Sequence, residues 1–167
     1  MMSNPGFDDL AAIEAIKQLK ARYFRCMDLR DWSGYGATFL PDGVLEVESI
    51  RKTDDDGAAI SRREEGRDAI VAWVSGVLEG ATTIHHGHMP EISILSPDSA
   101  TGIWAMEDRV IWPERALHGW GHYHERYRLV DGRWHIAASR LTRLRVELSP
   151  GTAPADPGRP MMLDAAS

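Results

Sequence analysis

The residues best suited to chemistry are histidines gathered in two short runs, His85-His86-Gly87-His88 and His122-Tyr123-His124. A neutral imidazole, with an ordinary pKa of ~6.5, is the usual general base at neutral pH. A carboxylate on its other ring nitrogen fixes the tautomer and stabilises the imidazolium. Asp28 is a candidate for that carboxylate. It falls in the expected last turn of the first helix, where the helix dipole disfavours a negative charge by roughly 0.3–1 kcal/mol. Either Arg25 or Arg30 compensates it by surface pairing, or it orients a histidine.

Strand alternation marks two more groups. On the even face of 102–112, Asp108 is the only charge among Trp104, Met106, Val110 and Trp112. On the even face of the last strand, Arg140 is the only charge among Ile136, Ala138, Leu144 and Val146, with Thr142 beside it. A buried charge without a partner costs several kcal/mol, so such groups are paired, neutralised or functional. The two readings are a structural Asp108–Arg140 ion pair and a polar patch in a pocket wall.

His86-x-His88 and His122-x-His124 each place two imidazoles on one strand face, and two such pairs suit Zn or Fe. No HExxH or CxxC accompanies them, and no resident metal is expected. No P-loop, GxGxxG or GxSxG is present, and no cofactor is expected. Cys26 lies among apolar helix residues and reads as core.

The elements that must position these groups follow from periodicity. Residues 1–7 read as a loose arm. Phe7 to Arg30 reads as a helix with Ile13, Ile16, Tyr23, Phe24 and Met27 on one face. Asp31 suits the N-cap of a second short helix carrying Trp32, Tyr35 and Phe39. Pro41-Asp42-Gly43 reads as a turn, 44–48 as a strand and 51–65 as an exposed loop. Gly66 to Leu78 reads as a helix, followed by strands over about 82–95, 100–112, 117–130 and 133–148. From Ser149 a proline-bearing tail reads as extended or disordered. Helices first and antiparallel strands after make an α+β order. A strongly twisted sheet of this length curls around helices packed on its concave face and leaves a pocket.

With 167 residues, 43% apolar and 26% charged, the chain fits one domain with its own core. A net charge of −6 argues against a nucleic-acid surface. No apolar run approaches the ~20 residues of a membrane span. One cysteine and no signal-like N-terminus make a cytoplasmic protein the expectation.

Several stretches resemble a known family. The run from Ala15 to Asp28, followed by Asp31-Trp32, resembles the opening helix of SnoaL-like (NTF2-like) proteins. Thr83 to Pro90 resembles their histidine-bearing strand. Gly121 to Tyr127 and Asp131 to Ile136 are similar to their closing hairpin. The resemblance covers about residues 8–148. It implies a cone-shaped curved antiparallel sheet wrapped around N-terminal helices.

The nearest pattern is that of scytalone dehydratase, bile acid 7α-dehydratase and hexachlorocyclohexane dehydrochlorinase, which pair a helix Asp with a strand His to abstract a proton. The resemblance implies Asp28 as the orienting carboxylate and His85 as the base. It implies Tyr23 as a pocket donor, Asp108 as an acidic pocket residue and Arg140 as the group that holds a leaving group or substrate oxygen. Strand parity taken from Ile84, Ile92 and Ile94 turns His86 and His88 inward instead, unless Pro90 marks a bulge. Arg143 is the alternative to Arg140. Trp104, Met106, Tyr123, His86 and Thr142 are the candidates for substrate contact.

The expected activity is a cofactor-free lyase acting on a hydrophobic small molecule. An isomerase, cyclase or hydrolase on the same scaffold and a non-catalytic binding module are the alternatives. A homodimer through the face carrying Trp120, His122 and His124 is expected, with no nucleic-acid or membrane partner.

Overall fold

The computed structural model describes residues 6–52 and 59–151. Helix α1 (Phe7–Asp28) buries Ile16, Leu19, Lys20, Tyr23, Cys26 and Met27, a stripe at spacings of three and four that lies on one side of a 3.6-residue helix. Helix α2 (Trp32–Gly36) begins at Asp31, whose carboxylate accepts from the Gly34 amide at 2.8 Å. Helix α3 (Arg67–Val77) buries Ile70 and Val74. It starts after Gly66, whose φ of 88° suits a residue without Cβ.

Six strands follow the order β2-β1-β6-β5-β4-β3, namely β2 (Ala59–Glu65), β1 (Phe39–Lys52), β6 (Arg133–Pro150), β5 (Arg115–Val130), β4 (Ser99–Ile111) and β3 (Thr82–Ser96). All neighbours are antiparallel except β1 and β6, which run parallel. The sheet is therefore α+β in the expected sense, with one parallel pair and two open edges. Side chains from β1, β3, β4, β5 and β6 converge with α1 and α3 on one cavity, so the inner face is concave.

Several boundaries differ from the sequence expectation. Phe39 opens β1 instead of ending α2, and Pro41-Asp42-Gly43 is an irregular stretch within β1, where pairing to β6 shifts register between Phe39 and Val44. The expected loop over 51–65 contains β2, which pairs with β1 through alternating charges such as Arg63 with Glu46. Its Asp-rich centre, 53–58, lies outside the described residues, as do the arm over 1–5 and the tail beyond 151. Strand β6 continues to Pro150.

Two strands change faces midway. In β3, Thr83 and His85 are buried, whereas beyond the break it is Ile92 and Ile94 that pack inward. The switch falls where His88 pairs with Ala105 but Glu91 pairs with Ile103, leaving Met89 (φ 34°) and Pro90 as a bulge. In β6, Ile136 pairs with Tyr127 and Ala138 with Arg126, so Ala137 is the extra residue. Beyond it, Ser139 and Leu141 point inward and Arg140 points out.

Candidate active site

The base of the cone is closed by a polar network with no exposure. Lys20 Nζ donates to Glu125 Oε1 at 2.6 Å, and both side chains are fully buried. Ser139 Oγ donates to the same oxygen at 2.8 Å, and the Tyr127 hydroxyl donates to Oε2. Trp104 Nε1 donates to Tyr127 at 2.8 Å. The Lys20 ammonium also sits 3.8 Å from the Tyr23 ring centre and 3.7 Å from that of Tyr123, within cation–π range. Burial lowers the Lys20 pKa and Glu125 works against that.

Above this network lies a cavity of about 590 Å³. One part is apolar, with Met27, Val74, Leu78, Trp73, Trp112 and Leu117. The polar part carries Tyr23, Tyr35, Tyr123, His85, Asp108 and Arg143.

Asp28, at the end of α1, meets His85 on β3. His85 Nδ1 lies 2.6 Å from Asp28 Oδ1, the His85 amide donates to Oδ2 at 3.0 Å, and Thr83 Oγ1 donates to Oδ1 at 2.9 Å. Burial pushes the Asp28 pKa up, but the bonds from the His85 ring, the His85 amide and Thr83 outweigh it and hold the carboxyl below its ordinary value. An ionised Asp28 makes Nδ1 the donor and leaves Nε2 as the free acceptor of the ring.

His85 pairs across the strands with Asp108. Asp108 is engaged by Arg143 in a two-pronged contact, Nη1 to Oδ1 at 2.7 Å and Nη2 to Oδ2 at 2.8 Å. A Cβ on Gly119, opposite Asp108 on β5, would come within 2.3 Å of both Arg143 Nη1 and Asp108 Oδ1. The glycine is what lets the ion pair lie against the strand. Glu48, at the rim of β1, accepts from the Arg143 amide at 3.0 Å. Arg143 Nε is buried and makes no hydrogen bond among the described residues, and neither does the Tyr35 hydroxyl. Burial first, then neighbouring phenols and acids, pushes the Tyr23 pKa well above its ordinary value. Tyr123 shifts the same way, by burial and then Asp108. Both phenols therefore stay protonated and can donate.

Not every sequence candidate reaches the cavity. Arg140 does not: the Ala137 bulge turns it outward, where it is half exposed and bonds Glu48 at 3.4 Å. Its place opposite Asp108 belongs to Arg143, so the expected Asp108–Arg140 pair is corrected to Asp108–Arg143. Thr142 also lies on the outer side, donating to the His122 carbonyl and approaching His124 Nε2. His86 is exposed on the outer face because the Met89–Pro90 bulge makes the odd positions before it the inward ones. Trp104 faces inward but is occupied by the basal network, and Met106 lies beneath Arg143, its Sδ 4.0 Å from Nη1. Cys26 is buried. The sequence reading passed over Lys20, Glu125, Tyr35 and Glu48. Lys20 had a visible signal, since it lies four residues after Ile16 and three before Tyr23 on the buried stripe.

A family model described as a SnoaL-like domain matches residues 8–140. The chain belongs to the SnoaL-like family. The probable cyclase FGR4 of Gibberella zeae is 26% identical over 142 residues, covering 80% of this chain and 91% of that protein. A hexachlorocyclohexane dehydrochlorinase, LinA type 2, superposes with a TM-score of 0.75 at 20% identity, covering 91% of this chain and 98% of that one. A provisionally named scytalone dehydratase of Novosphingobium aromaticivorans superposes with a TM-score of 0.72 at 17% identity, covering 89% and 96%. At those identities the two structures show a shared fold. Among the described residues, no helix is long and apolar enough to cross a membrane.

Proposed function

We propose that this SnoaL-like protein is a cofactor-independent lyase that removes a proton and a neighbouring leaving group from a hydrophobic small molecule. The observation that carries the reading is the Asp28–His85 contact at the wall of a largely apolar cavity. A cavity of about 590 Å³ is within the usual range for small-molecule sites, ~300–1,000 Å³. Names among its relatives, a dehydrochlorinase, a scytalone dehydratase and a probable cyclase, fit chemistry that starts with a base and a developing negative charge.

His85 Nε2 takes the proton from carbon, and the C–H electron pair forms the new double bond. The leaving hydroxyl or halide departs with its own bonding pair, and a departing hydroxide takes the proton held on His85 Nε2 to complete water. Asp28 holds the imidazole in the acceptor tautomer and stabilises the imidazolium. Tyr23 and Arg143 are the preorganised donors for the developing charge. Arg143 takes the role expected of Arg140. Asp108 acts as a positioning group for Arg143, since both its oxygens are engaged by the guanidinium. Trp73, Trp112 and Tyr123 hold the apolar body of the substrate.

The test incubates the protein in deuterated water with hexachlorocyclohexane, scytalone and a hydrophobic β-hydroxy ketone, and follows the products by mass spectrometry. Loss of water or hydrogen chloride that disappears in His85→Gln supports the lyase. Deuterium uptake without loss of a leaving group moves the reading to an isomerase. Turnover unchanged in both His85→Gln and Asp28→Asn overturns the dyad.

A further inference from the structure

The Met89–Pro90 bulge leaves His86 and His88 on the outside of β3. His86 lies opposite Glu107 in the β3–β4 ladder, and His88, two residues on, faces the same way. One ligand atom from each of His86, His88 and Glu107 falls within 4.8 Å of the others. Ligands around a bound Zn²⁺, with bonds of ~2.0–2.2 Å in tetrahedral geometry, stand roughly 3.3–3.6 Å apart. The gap is closed by small rotations, which the exposed imidazoles are free to make.

Glu107 is already oriented. His118, on β5, approaches Glu107 Oε1 with Nε2 at 2.5 Å, and Trp120 packs against His118 with ring centres 3.8 Å apart and planes tilted by 36°. A carboxylate held by an imidazole outside the ligand set is the kind of support that metal ligands require. Two imidazoles and one carboxylate suit a first-row divalent ion and leave coordination positions for water. The pairing differs from the sequence expectation, which considered His86 and His88 together with His122 and His124. The latter pair faces Ala105 and Ile103 on β4 and has no carboxylate opposite it.

We propose that His86, His88 and Glu107 form a surface site for a divalent transition metal of the Zn²⁺ type, with His118 as the positioning residue for Glu107. The site lies directly behind the cavity. His86 follows His85 and Glu107 precedes Asp108, so a bound ion clamps the edge strand β3 to β4 from outside while His85 and Asp108 face inward. The proposal is independent of the lyase reading.

The experiment is calorimetric titration of the untagged full chain with zinc chloride in a non-coordinating buffer, with Co²⁺ absorption as a second readout. The expected result is one Zn²⁺ per chain, an imidazole-type Co²⁺ spectrum and a rise in melting temperature with zinc. His86→Ala/His88→Ala should abolish all three, Glu107→Gln should weaken binding at least tenfold, and His118→Ala should weaken it by about 10–100-fold. His122→Ala/His124→Ala should bind as the wild type does. Melting in chelator checks that the variants fold. The proposal is overturned by no stoichiometric binding, by binding that survives His86→Ala/His88→Ala, or by binding lost only in His122→Ala/His124→Ala.

Discussion

Two buried ion pairs stand on the inner face of the sheet, and they differ in what remains unused. Lys20–Glu125 is sealed at the base: Glu125 accepts from Lys20, Tyr127 and Ser139, and the ammonium is covered by aromatic rings. Asp108–Arg143 borders the cavity, and Asp108 takes only one of the two N–H groups on each Nη of Arg143. A saturated pair fixes the packing of a core, whereas a pair with spare donors at a cavity wall can also meet a ligand. Charge burial alone does not identify a site; the state of the remaining donors and their access to the cavity do.

The largest expected effect comes from breaking the sealed pair. Lys20→Met should cost about 3–5 kcal/mol in urea unfolding, because it strands a buried carboxylate. Lys20→Met/Glu125→Gln removes both charges and keeps one carbonyl acceptor for either Ser139 or Tyr127, so it should regain part of that stability together with activity. Next is the cavity pair. Arg143→Met/Asp108→Leu should fold, with turnover reduced by about 10²–10³-fold as expected for loss of a preorganised donor. If both double variants lose activity equally, the distinction between the pairs fails.

Gly119→Ala comes third. It should destabilise by about 1–3 kcal/mol through overpacking and lower turnover more than unfolding accounts for, because the new Cβ displaces Arg143. The smallest effect is the pH dependence of Asp28. Its folded pKa is depressed, so its contribution is fully present above the unfolded value of ~3.9 and is lost as pH falls through the lower folded value. The stability gap between wild type and Asp28→Asn should therefore shrink as the pH is lowered below the ordinary carboxylate value of ~3.9; a gap that widens in that range contradicts the assigned sign.

Helix periodicity and strand alternation were enough to show the order of every element except β2, and the inner faces of α1, β4 and β5, because those elements run without interruption. Strands β3 and β6 were harder. Around Ala137-Ala138-Ser139 the side chains are small, and beyond them Leu141 on one parity and Leu144 and Val146 on the other give no clear preference. A one-residue bulge there exchanges Arg140 for Arg143 and nothing local announces it. In β3, Pro90 did mark the break, which is why His85 and not His86 lies beside Asp28. Strand β2 was hidden because its charges are satisfied across the ladder by β1, so its composition resembles that of a loop.

In the proposed mechanism Asp28 holds His85 with Nδ1 protonated and Nε2 free toward the cavity. Nitrogen-15 NMR of the histidine side chains at mildly alkaline pH reads this directly. A neutral Nδ1–H tautomer is expected for His85 in the wild type and should be lost in Asp28→Asn. An Nε2–H tautomer, or a His85 signal indifferent to Asp28→Asn, would contradict it.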